Sequence, residues 1–119
     1  MKWYLAKIVF RIICGDGNHK AQFDEQLRLV EAASREDAFS KAQNLGLTGE
    51  EKFYNAAQQI VQWKFINVAE ILLLQPIADG AEIYARISEH DNADRYISLI
   101  HSQAKHTRES FAEPTFQVK

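Results

Sequence analysis

The 119-residue chain contains one cysteine, one methionine and two prolines. A lone cysteine excludes an intrachain disulfide framework and a cysteine-rich zinc site. With so little proline, no repeat and no low-complexity tract, nothing marks a linker that would split the chain. Charge of one sign is also missing: 14 Lys and Arg face 16 Asp and Glu, for a net charge of −2. That balance excludes a strongly acidic or basic disordered chain. The longest uncharged stretch, Phe53 to Trp63, falls far short of the ~20 apolar residues that a membrane span needs. What is present is ordinary, at 46% hydrophobic and 25% charged residues. A single globular domain of this size buries roughly two thirds of its unfolded surface and needs no staple.

The first fourteen residues, MKWYLAKIVFRIIC, superficially combine a lysine, an apolar run and a cysteine, as a lipoprotein signal does. Lys7 and Arg11 interrupt the run, and bulky Ile12 and Ile13 stand where small residues precede a cleavage site. Strand alternation accounts for the pattern better, and the expectation is a soluble, cytoplasmic protein with a reduced thiol.

Trp3 to Ile13 alternates with period two. Tyr4, Ala6, Ile8, Phe10 and Ile12 take one face, and Trp3, Leu5, Lys7, Val9 and Arg11 the other. Gly15-Asp16-Gly17-Asn18 is a turn signal, because Gly and Asn accept positive φ at low cost. A second strand, Gln22 to Ala32, completes a long hairpin, with Phe23, Leu27 and Leu29 on one face and Asp24, Gln26 and Arg28 on the other.

Ser34 is a good N-cap with Asp37 three residues on. Ala38, Phe39, Ala42 and Leu45 then recur at helical spacing, and Gly46 suits the left-handed position that ends a helix. Thr48 to Ala57 reads either as a short helix or as a loop. From Gln59 to Leu74 a long apolar strand places Val61, Trp63 and Phe65 on one parity. The parity shifts after Asn67, which points to a bulge or bend. Pro76 stops the ladder, Asp79-Gly80 turns the chain, and Glu82 to Ser88 alternates as a fourth strand. Asp91 or Asn92 caps a final helix, about Ala93 to Lys105, with a stripe of Tyr96, Ile97, Ile100 and Ala104.

This order predicts an α+β fold: an antiparallel four-stranded sheet in β-β-α-β-β-α order, with helices packed on one face. Residues 1–106 are expected to form one domain, and 107–119 a loosely ordered tail containing Pro114. The first strand is apolar on both faces. Helices can cover one; the other, with Trp3, Leu5 and Val9, calls for a second chain, so the protein is expected to be a homodimer.

Four segments stand out together: Trp3-Tyr4-Leu5-Ala6-Lys7-Ile8; Leu29-Val30-Glu31-Ala32 with Ser34 through Gly46; Trp63-Lys64-Phe65-Ile66-Asn67-Val68; and Asp79-Gly80-Ala81-Glu82-Ile83-Tyr84. This set resembles the bacterial domain-of-unknown-function family 4288, across residues 2–88 or so. The resemblance implies a small stand-alone domain with a Trp-Lys-Phe segment after a helix of spaced alanines. The family carries no assigned reaction, so no functional residue is carried over.

The chemistry-bearing residues give few patterns. No histidine pair among His19, His90, His101 and His106 has metal-binding helical spacing, and no metal site is expected. Gly15-x-Gly17 lacks a third glycine and precedes a strand rather than a helix, so it is no nucleotide fingerprint; no cofactor is expected. Cys14 ends an apolar strand and reads as a packing residue rather than a nucleophile. Val61, Trp63 and Phe65 read first as a core or interface face. Glu89-His90-Asp91 is the one catalytic candidate, since carboxylates can turn a histidine into a general base. Acids at a helix start, however, also serve as caps. Lys7, Arg11, Arg28 and Lys64 could share one sheet face and bind anions. Only Trp3 offers a stacking ring there, which disfavours nucleic acid.

The sequence therefore predicts a non-enzymatic homodimeric interaction or ligand-binding module, with an adaptor- or immunity-like role beside an unidentified protein partner within that class. The alternatives are an enzyme with a site assembled across the dimer interface from Glu89, His90, Asp91 and Arg86, or phosphate or nucleic-acid binding by the basic stripe.

Overall fold

A computed structural model describes residues 1–111 of the chain. Two compact units are present, Met1–Tyr84 and the part from Ala85 onward. The first contains β1 (Lys2–Cys14), β2 (Gln22–Ala32), α1 (Arg35–Thr48), β3 (Glu51–Tyr54) and β4 (Ile60–Leu73); the second contains α2 (Ala93–Ser110). The strands form one antiparallel sheet in the order β2-β1-β4-β3. The α+β class and the β-β-α-β-β-α order are as the sequence predicts.

β1 takes the centre because it is apolar on both faces and tolerates a strand on each side. Its hairpin with β2 turns on Gly15 and Gly17, at φ +62° and +82°, where a side chain would be strained. Asp16 helps close the turn by accepting from the Asn18 N–H at 2.9 Å.

The fourth strand is not the expected one. Glu82 to Ser88 has no regular structure, and the short β3 fills the place instead, within a segment read as helix or loop. Alternation alone does not make a strand; here Tyr84 of the segment lies against the sheet face, on Lys7 and Glu70, rather than along a sheet edge. Both sides of β1 are taken by β2 and β4, while β3 pairs with Ile60 to Trp63 of β4.

β4 changes register with β1 twice. Glu70 faces Lys7 and Val68 faces Ile8, leaving Ala69 over; Asn67 faces Val9 and Phe65 faces Phe10, leaving Ile66 over. These are the bulges behind the parity shift. Each insertion flips the alternation, so Val61, Trp63 and Phe65 share the face of Val68 and Ile71 despite their mismatched numbering.

That face carries α1. Ser34 caps it, accepting from the Asp37 N–H at 3.1 Å. Ala38 and Ala42 are fully buried, and their small side chains let the helix axis lie close to the sheet. They pack among Tyr4, Ala6, Ile8 and Phe10 of β1, with Val30, Ala32, Val68 and Ile71 alongside. Gly46 does not end the helix as expected. α1 runs on to Thr48, and Gly49 caps it with an ordinary φ of −85°. Gly46 is needed for packing: a β-carbon there would collide with the ring of Phe65.

α2 starts at Asn92, whose side chain accepts from the Arg95 N–H at 3.0 Å. It extends beyond the expected end through Ser110, so Thr107 to Ser110 are helical. The rest of the expected tail, residues 112–119, lies outside the described residues. No α2 residue is buried, and Tyr96, Ile97 and Ile100 stand exposed.

Candidate functional site

The sheet face away from α1 collects most of the residues singled out in the sequence. Directly paired residues on neighbouring strands share a face, so the register defines its rows. They are Phe23–Arg11–Lys64, Glu25–Val9–Asn67, Leu27–Lys7–Glu70 and Leu29–Leu5–Leu72. Three of the four expected cations, Lys7, Arg11 and Lys64, are therefore brought together. Arg28 is not. It pairs with the buried Ala6 and belongs to the α1 side, where it donates to Gln26 at 2.8 Å. The expectation that it joins the stripe fails because β2 presents its Asp24-Gln26-Arg28 parity, not its apolar one, on the helix side. The consequence is that Phe23, Leu27 and Leu29 lie on the open face, 56%, 48% and 57% exposed. Of the expected interface residues, Trp3 is exposed and Val9 half-buried. Leu5 is only 5% exposed within the chain itself.

Lys7 is not a free cation. Its Nζ donates to Tyr84 Oη at 3.0 Å and to Glu70 Oε1 at 3.2 Å, and it lies 5.0 Å from the Tyr84 ring centre. The Tyr84 hydroxyl donates to Glu70 Oε1 at 3.3 Å, closing a triangle. The Tyr84 hydrogen bond, then that of Glu70, raises the Lys7 pKa above its ordinary 10.5. A cation whose folded pKa is raised stabilises fully below its unfolded pKa and loses that effect as pH climbs through the folded one. Lys7→Met is thus expected to melt below wild type at pH 7, with the gap narrowing above pH ~10.5. Melting curves from pH 7 to 11 check this; a gap independent of pH would contradict it.

Arg11 and Lys64 differ from Lys7. Neither has an ion partner or a side-chain hydrogen bond among the described residues, and Arg11 Nε is shielded from solvent with no acceptor. A buried donor left unpaired costs about 1–3 kcal/mol.

Cys14 has company that sequence reading missed. Its thiol donates to Gln59 Oε1 at 3.5 Å and accepts from Asn55 Nδ2 at 3.6 Å. His19 Nε2 accepts from the Cys14 backbone N–H at 3.0 Å. A cavity of about 460 Å³ lies beside Cys14, His19 and Gln59. His19 faces the Cys14 backbone instead of Sγ, so no base among the described residues is aimed at the sulfur. Only the adjacency of β1 to β4 brings these residues together, so no local signal announces the cluster.

The Glu89-His90-Asp91 segment is wholly exposed. The His90 ring stacks on Tyr96 at 4.0 Å, and its Nε2 lies 2.9 Å from Ser88 Oγ. Neither carboxylate reaches the ring among the described hydrogen bonds. A cleft of about 450 Å³ beside His90, Arg95 and Tyr96 is lined by exposed side chains and offers no enclosure for a reaction. Arg86 is also exposed. Trp63 lies on the α1 side, stacks on Phe53 at 6.0 Å and donates from Nε1 to Asp24 Oδ2 at 3.1 Å. Among the described residues no three His, Cys, Asp or Glu side chains are grouped to hold a metal, and no helix is long and apolar enough to cross a membrane.

A four-stranded antiparallel sheet with one face covered by α1 and the other covered in part by Tyr84 defines the first unit as a small α+β domain. The family model for "Domain of unknown function (DUF4288)" matches residues 3–85, and the chain belongs to that family. The match ends with the first unit and leaves α2 outside. No curated protein matches the chain, and no solved structure does.

Proposed function

We propose that this chain is a non-catalytic interaction module that works as a homodimer through the open face of its sheet. The observation that carries the reading is the line of Phe23, Leu27 and Leu29 along β2, each about half exposed. Exposed apolar side chains gathered on one face, here Leu27 and Leu29 side by side with Phe23 beyond Glu25, are what a protein contact buries. A second copy is the economical cover, because one patch then serves both partners across a two-fold axis. The stripe of α2 remains for the unidentified protein partner that an adaptor role requires. Anion binding is the less favoured reading, since Lys7 is neutralised by Glu70 and Arg28 lies on the other face.

Light scattering is expected to give twice the chain mass of 13.7 kDa at roughly 0.1 mM. Leu27→Glu with Leu29→Glu should return the mass to that of one chain while the fold persists, because both side chains are exposed. A wild-type protein that stays at one chain mass would overturn the reading.

A further inference from the structure

We propose that the two copies are held in register by reciprocal ion pairs between Arg11 of one and Glu25 of the other, with Lys64 beside them. This rests on the open-face dimer. It adds which charges meet and how the faces are oriented.

Arg11 and Lys64 are direct cross-strand partners, so two cations stand side by side at one end of the face. In an antiparallel sheet, like charges directly opposite each other repel. Neither has a carboxylate within ion-pair reach among the described residues, and the Arg11 Nε has no acceptor while shielded from water. Part of the desolvation cost of that guanidinium therefore already falls on folding. A partner's carboxylate cannot reach the covered Nε, but at the outer guanidinium nitrogens it gains attraction at a reduced further penalty.

Glu25 supplies that carboxylate. It sits one row from Arg11, between Phe23 and Leu27. Its side chain is 64% exposed, and its one ionic neighbour among the described residues is Lys7 at 3.9 Å. That separation is too long for a hydrogen bond. Lys7 does not depend on it, since Glu70 and Tyr84 already accept from the ammonium. Among the described residues, the face thus carries a cation pair without a carboxylate and, one row away, a carboxylate held only by the 3.9 Å pair with Lys7. A two-fold axis running between those rows places each Arg11 within side-chain reach of the other copy's Glu25, one strand over. It also brings the two β2 stripes together.

Sedimentation equilibrium on the full chain tests the pairing. Arg11→Glu and Glu25→Arg alone are each expected to weaken dimerisation at least about tenfold, and the double variant to return within about threefold of wild type. Arg11→Gln and Glu25→Gln should weaken it less, and about 0.5 M salt should weaken wild type more than either Gln variant. Circular dichroism verifies that each variant is folded. A wild-type dimer whose affinity ignores both single reversals, or a double variant no tighter than the singles, would refute the pairing while leaving the open-face dimer standing. A monomeric wild type would overturn both.

Discussion

Phe10→Ala is expected to destabilise the protein by about 3–5 kcal/mol. Phe10 is 2% exposed and among the largest fully covered side chains, together with Ile8 and Val30. It lies in mid-β1, under α1, where the sheet and the helix meet. Its ring meets Phe65 edge-on, with centroids 6.0 Å apart and planes at 63°. The end of α1 approaches its other side, since a β-carbon on Gly49 would stand 3.2 Å from the tip of the Phe10 ring. Both neighbours are anchored in separate elements, so the hole left by truncation cannot collapse fully. A domain of this size has a total stability of only ~5–15 kcal/mol. The variant should therefore lose a large part of its urea midpoint, and Phe10→Leu should keep more. A loss below about 1 kcal/mol for the alanine variant would contradict the packing described.

Gly46→Ala is expected to be destabilising although it improves helix propensity. In an exposed helix interior the exchange gains ~1 kcal/mol. At Gly46 the new methyl group meets the face of Phe65. That ring cannot simply swing aside, because Phe10 packs against it. Overpacking of this kind costs about 1–3 kcal/mol, which exceeds the propensity gain. Thermal melts of Gly46→Ala, Phe65→Leu and the double variant check the argument. The double variant should be more stable than the sum of the single losses allows, because the smaller side chain makes room. A Gly46→Ala protein that melts above wild type would contradict the close approach.

Much of the first unit was legible in the sequence because its signals are local. Period-two alternation marks β1 and β2, paired glycines mark their turn, Ser34 marks the start of α1, and a parity shift marks the bulged stretch of β4. What escaped depends on neighbours distant along the chain. Gly46 carries the signature of a helix end, and only the ring of Phe65 across the interface explains it. Glu82 to Ser88 alternates as well as a strand should, yet alternation cannot say whether the segment lies along an edge or, as Tyr84 does, on a face. The sharing of a face by Lys7, Arg11 and Lys64 follows from register and was legible. The misplacement of Arg28 arose because β2 puts its polar parity toward α1. The contacts of Lys7 with Glu70 and Tyr84 span most of the unit and leave no trace in local pattern. The Glu89-His90-Asp91 motif shows the opposite failure: adjacent residue types of the right chemistry need not converge on one point.

The two leftover residues of β4 also bear on how this protein avoids uncontrolled stacking. Beyond Trp63, β4 has no strand on its outer side among the described residues, and a long open edge invites a stranger's strand. Ile66 and Ala69 break the even spacing of backbone donors and acceptors along it, so an incoming regular strand falls out of step within a few residues. The irregularity that aims Val68 and Ile71 into the core thus also makes this edge a poor seed for fibres.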